Sequence, residues 1–215
     1  MLAAAAAWDL FEEAVRTYHR QVPDDASADL PWDLPCPPVP TPANEFSEFL
    51  WKKAWVDTVQ WHAEDRIRNP RIEPAEALQL KRRIDALNQE RTDRVEALDD
   101  LLFAQVSAAG APVAHAPWKW IPTETPAWAL DRLSILALKI SHMHAEVERS
   151  SASAEHRQNC QEKLNILLHQ KEVLVAAIDG LWHAICVGDS PYHRYRQMKM
   201  YNDPALNPVL YRTLD

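Results

Sequence analysis

Glycine is nearly missing from this chain, with three in 215 residues. That scarcity denies it the turns an all-β or doubly wound α/β fold requires, and abundant Ala, Leu, Glu, Gln and Arg favour long helices instead. Cysteine is just as sparse. Cys36, Cys160 and Cys186 are odd in number and far apart, which argues against a disulfide framework or a clustered zinc site and points to a reducing cytoplasm. No run of about eighteen apolar residues occurs, so no membrane span is expected. An excess of positive charge is absent too. The formal charge is −8, from 23 basic and 31 acidic residues, which argues against general nucleic-acid binding while leaving room for a local patch that takes one small anion. The sequence has no Gly-rich phosphate loop, no nucleophile elbow and no Cys-x-x-Cys.

Proline, in contrast, is plentiful at sixteen, and its positions mark the connectors of a single helical domain. A first helix is expected over roughly 3–20, with Trp8, Phe11, Val15 and Tyr18 on one stripe. The Ala-rich start reads as a helix beginning, because it lacks a basic region and Asp9, Glu12 and Glu13 follow at once. Residues 21–43 form a stiff proline-rich strap. Asn44 is a credible N-cap for a second helix that stops before Pro70. Pro74 opens a third, ending near Gly110, and Thr125-Pro126 opens a fourth that runs to about Arg149. A tight connection through Ser150–Ser153 leads to a fifth helix that stops at Gly188. Residues 189–215 read as an irregular C-terminal strap or flap.

Apolar spacing predicts how these helices associate. Leu80, Ile84, Leu87, Val95, Leu98 and Leu102 follow alternating steps of three and four, with Arg91 in the missing place. Ala129 to Val147 repeat that pattern, and so do Cys160 to Ile185, with Lys171 in the gap. Such seams suit antiparallel helices crossing at about 20°. The expected fold is all-α: four long antiparallel helices in a bundle (44–188), an N-terminal accessory helix (1–20) and the C-terminal strap.

The polar exceptions carry the functional information. Over residues 55–68, Asp57, Gln60, His62, Glu64, Asp65, Arg66 and Arg68 circle the whole helix between Trp55 and Trp61. Some of that charge must face inward, where it is costly unless paired. Arg91 breaks a seam beside Asp85, Asn88, Thr92 and Glu96, while Arg132, Lys139, His142 and Glu146 line the fourth helix. If these stripes meet, they build a polar core. One reading is a structural ion-pair network that fixes helix register. Another is a pocket for a small polar or anionic molecule, since arginine's planar fork suits carboxylate and phosphate. A third is a metal site from His62 with Asp65 and His142 with Glu146, each pair on one face of its helix; His144, His156 and His169 read as surface residues. Nine tryptophans read as core and lid packing, with Trp118-Lys119-Trp120 as an alternative stacking platform. Residues 192–201 interleave basic and aromatic side chains, Arg196 and Lys199 among them, and suit either a flap over an anion or a strap paired to the acidic bundle.

Several long words resemble a bacterial family known as Domain of Unknown Function 4254. They are residues 55–68, Lys81-Arg-Arg-Ile-Asp85, Asn88-Gln-Glu-Arg-Thr-Asp93, Asp131 to Ile140, and Arg196-Gln-Met-Lys-Met-Tyr-Asn-Asp203, so the resemblance spans about 45–212. The family's His-Leu-Glu-Asp word is similar to His62-Ala63-Glu64-Asp65, with Ala63 in place of the leucine, a change expected to alter packing more than chemistry. The resemblance implies a site and leaves the reaction open. Residues 81–91 are also similar to the first helix of all-α chorismate mutases, which enclose a dicarboxylate with Arg, Lys, Glu and Gln and illustrate how such a core can work.

The residues lead to one main expectation and two alternatives. In the first, an enzyme acts on a small polar or anionic metabolite. Asp57, Gln60, Arg68, Asn88, Arg91, Arg132, Lys139, His142, Arg196 and Lys199 would line its site, with His62, Glu64 and Asp65 as catalytic candidates. In the second, the cluster is structural and the protein binds a protein partner or a second copy of itself. A metal-dependent bundle enzyme is third, with no cofactor specified.

Overall fold

The computed structural model describes residues 3–22, 34–40, 43–110, 120–199, 204–206 and 208. It is all-helical among these, with α1 at Ala4–Gln21, α2 at Glu45–Ile67, α3 at Pro74–Ala108, α4 at Pro126–Glu148 and α5 at Ala154–Cys186, followed by one 3-10 turn, Pro204–Leu206. No helix among the described residues is long and apolar enough to cross a membrane. Trp118 and Lys119 of the expected stacking platform lie outside the described residues; Trp120 is half exposed.

Local chemistry sets the boundaries. Asn44 and Ser47 cap α2 reciprocally: the Ser47 amide donates to Asn44 Oδ1 at 2.9 Å, and the Asn44 amide donates to Ser47 Oγ at 2.8 Å. Pro74 and Pro126 occupy first-turn positions, where a missing N–H costs nothing. Ser153 caps α5 through the His156 amide. The α5 helix ends at Cys186, just before Gly188, whose φ of 79° favours glycine. α1 has no cap of its own, and Asp179 of α5 accepts from the Ala4 amide at 2.9 Å.

That contact is part of a larger finding about α1. Trp8 and Phe11 are fully enclosed in the main core with Leu50, Trp51, Leu130 and Leu133. The helix packs across α2 and α4 and reaches α5, so it is embedded more deeply than an accessory helix need be. Lys171, the interruption in the α5 seam, lays its ammonium over the Trp8 ring at 4.2 Å. Part of the proline-rich strap is pinned to α2, because Trp51 Nε1 donates to the Pro37 carbonyl at 2.8 Å and Trp55 Nε1 to that of Leu34 at 3.0 Å.

Candidate functional site

Four ionisable side chains meet where α2, α3 and α4 converge. Lys53 and Asp57 stand one turn apart on α2, Arg91 comes from α3, and Asp131 from the first turns of α4. Lys53 Nζ contacts Asp57 and lies 2.8 Å from Asp131 Oδ1. Arg91 grips Asp131 with two parallel bonds, Nε donating to Oδ1 at 2.8 Å and Nη2 donating to Oδ2. Ser134 Oγ donates to Asp57 Oδ2 at 2.6 Å. Lys53, Asp57 and Asp131 are buried, whereas the Arg91 side chain keeps 28% of its surface exposed.

The two carboxylates are not equivalent. Burial raises the Asp57 carboxyl, and nearby Asp131 raises it further, against the pull of Lys53 and Arg91. Burial also works against ionised Asp131, but Lys53 and the Arg91 fork outweigh it and hold that carboxyl below its ordinary range. Asp57 is therefore the one that takes a proton first. Its Oδ1 is buried without a hydrogen bond among the described residues, 3.6 Å from Arg91 Nε. Gln60 Oε1 is in the same condition, although Gln60 Nε2 donates to Asn88 Oδ1 at 3.0 Å.

Two clefts adjoin this cluster, and a third shares walls with both. The widest, about 640 Å³, lies between α4 and α5 and is lined in part by Arg91, Arg132 and Lys139. A second, about 170 Å³, includes Asp57, Gln60, Trp61 and Arg91. A third, about 390 Å³, is lined mostly by apolar groups, with Trp61, Lys139 and His142 among them. Arg91 thus separates the first pair, Trp61 the second pair, and Lys139 stands between the widest and the apolar cleft.

A family model described as a protein of unknown function (DUF4254) matches residues 47–193. The chain belongs to the DUF4254 family. No curated protein and no solved structure matches it at a significant level. Within this DUF4254 protein all four members of the charge quartet fall inside the matched span, as do His62 and His142. Ala63, the departure from the His-Leu-Glu-Asp word, packs against Leu80 and Ile84.

The remaining candidates distribute unevenly. Glu64 and Asp65 both pair with Arg68 near the surface, at 3.2 and 3.1 Å. Arg132 is exposed and paired with Glu124 at 2.7 Å. Glu146 turns away from His142 to Arg149 and His156. Arg196 pairs with Asp100 and Glu96, and Lys199 Nζ donates to the Asn88 carbonyl, so both tie the C-terminal strap to α3. That strap is anchored further by Tyr192, whose hydroxyl donates to buried Asp99 at 2.9 Å, while Thr125 Oγ1 donates to the other Asp99 oxygen at 2.8 Å.

Three residues that matter here were not singled out as site members from sequence: Lys53, Ser134 and His19. Lys53 did carry a signal, since Leu50, Lys53 and Asp57 follow the three-and-four step of a buried seam. His19 brings its ring to His62 and His142, so that one ring nitrogen from each lies within 4.8 Å of the others. Glu146, His156 and Cys160 form another group of potential metal ligands, more exposed.

Proposed function

We propose that this protein is an enzyme acting on a small, polar, anionic metabolite held in the clefts that share Arg91. The observation that carries this reading is Arg91 itself. Its Nε and Nη2 are committed to Asp131, yet the side chain lines two clefts and Nη1 has no partner among the described residues. Lys139, exposed between the widest and the apolar cleft, supplies a second cation. Asp57, raised by burial and lining the second cleft, is suited to proton transfer. The unbonded oxygens of Asp57 and Gln60 suit a hydroxyl or amine on the same ligand. Glu64, Asp65 and Arg68 then form the rim rather than the reacting centre.

A second reading rests on a different observation. Lys53 and Arg91 balance Asp57 and Asp131 in charge, so the quartet needs no counter-ion and serves as a structural network. Thermal shifts with inorganic phosphate and succinate separate the two. The enzyme reading expects one of these anions to raise the melting temperature; at a hundred times Kd the gain is about 2.7 kcal/mol. Lys139→Gln should leave the unliganded melting temperature in place and weaken that response. No response to either anion, or an undiminished response in Lys139→Gln, favours the structural network.

A further inference from the structure

We propose that His19, His62 and His142 form a three-nitrogen site for a divalent transition metal of the zinc class, with a coordination position left open. The three rings come from three helices: His19 from the last turn of α1, His62 from α2 and His142 from α4. His19 Nε2 and His62 Nε2 are 3.1 Å apart, and each residue offers a ring nitrogen within 4.8 Å of the other two. Metal–nitrogen bonds of about 2.0–2.1 Å in a tetrahedral site set ligand nitrogens roughly 3.3 Å apart. Small side-chain rotations therefore close this triangle around an ion.

The surroundings fix the rings in a way that a chance surface cluster would not. Tyr18 stacks on His62 with centroids 5.0 Å apart and planes 14° from parallel. Trp61 stacks on His142 at 4.9 Å and 11°. Both ring planes are held by aromatic neighbours before any ion arrives, which lowers the ordering cost of binding. The His142 ring, from α4, joins the His19–His62 pair with its centroid 5.0 Å from that of His19 and 5.4 Å from that of His62.

The chemistry of the set is equally specific. Asp65 is occupied by Arg68, and Glu146 by Arg149 and His156, so neither carboxylate joins the histidines. An ion held by three neutral imidazoles keeps its full double charge, and its open position takes water or an anionic ligand. His142 also lines the apolar cleft of about 390 Å³, which gives that position an approach. The site stands on its own geometry and does not require the anion-binding reading of Arg91.

Cobalt(II) titration of the metal-stripped full chain, in buffer free of phosphate and carboxylate, tests this directly. The expected result is one equivalent bound, with visible d–d bands of a low-coordinate site and no thiolate charge transfer in the near ultraviolet. His19→Gln, His62→Gln and His142→Gln should each weaken binding by more than the roughly 10–100-fold that loss of an outer-sphere partner costs. His156→Gln should bind as the parent does. Circular dichroism checks that each variant is folded; if one is not, the parent's spectrum still decides. Absence of stoichiometric uptake overturns the proposal, as does thiolate charge transfer, which would place cobalt at Glu146, His156 and Cys160. Undiminished binding in all three folded histidine variants overturns it as well.

Discussion

The bundle uses the same ion-pair chemistry in two opposite settings. At the α2–α3–α4 junction, Lys53, Asp57 and Asp131 are almost wholly removed from solvent. On the outer face of α3, Arg194 and Arg196 of the C-terminal strap meet Asp100, which remains about half exposed. Distances at the two places are similar, so proximity does not rank them. Burial does. Inside, an unpaired partner has no water to turn to, whereas outside, water and salt replace a lost partner at little cost.

Breaking the inner cluster should therefore give the largest effect. Asp131→Asn leaves Lys53 and Arg91 sharing one carboxylate, and loss of a partner from a buried pair costs roughly 3–5 kcal/mol. Urea unfolding followed by circular dichroism should show the midpoint falling without a change in slope. A loss below about 1 kcal/mol would mean that solvent reaches the junction and that the comparison with the strap fails.

A subtler effect separates the two carboxylates by pH. Asp131 is depressed in the folded chain, so its contribution is present above the unfolded value of about 3.9 and is lost as pH falls through its folded value. Asp57 is raised, so its effect has the opposite sign: stability falls as pH climbs from the unfolded value through the folded one. Asp57→Asn removes only the second term. Between pH 4 and 7 the melting temperature of the variant should therefore rise relative to that of the parent. A difference that is flat or shrinks with pH would assign the raised carboxyl elsewhere.

Much of this architecture is legible without coordinates, because helix ends are decided by neighbours in sequence. Asn44, Pro74, Thr125-Pro126, Ser153 and Gly188 each act within a turn of where they stand, and the helices begin and end beside them. Arg91 was also visible as a break in an apolar seam, and Asp57 as one of the charges that circle the second helix. Lys53 follows the same seam step as Leu50 and Asp57, but a lysine beside Lys52 reads as surface until its partner on α4, Asp131, is known. Glu64 and Asp65, site candidates from sequence, line the second cleft with Asp57 and pair with Arg68 within their own helix. His19 depended on how α1 is rotated against α2 and α4. Spacing within α1 cannot supply that angle; it is set by the packing of Trp8 and Phe11 into the common core.

The smallest expected effect lies on the outer face. Arg196 reaches Asp100 and Glu96 with 31% of its side chain exposed, and it was also one of the basic residues that could have closed over an anion. Arg196→Ala should cost less than about 1 kcal/mol, the range of solvent-exposed pairs. That cost should shrink further as salt rises from about 0.1 M to 1 M, since the screening length falls from roughly 10 Å to 3 Å. Tyr192, half-buried and bonded to Asp99, keeps the strap seated in the variant, so the loss stays local. The same variant should leave any phosphate or succinate response unchanged, because Arg196 is paired with Asp100 and Glu96 on α3 and lines none of the three clefts. A cost of several kcal/mol that persists in high salt would make the strap a second buried network. A lost anion response would instead return Arg196 to the binding site and make the strap the flap that its alternating basic and aromatic residues suggest.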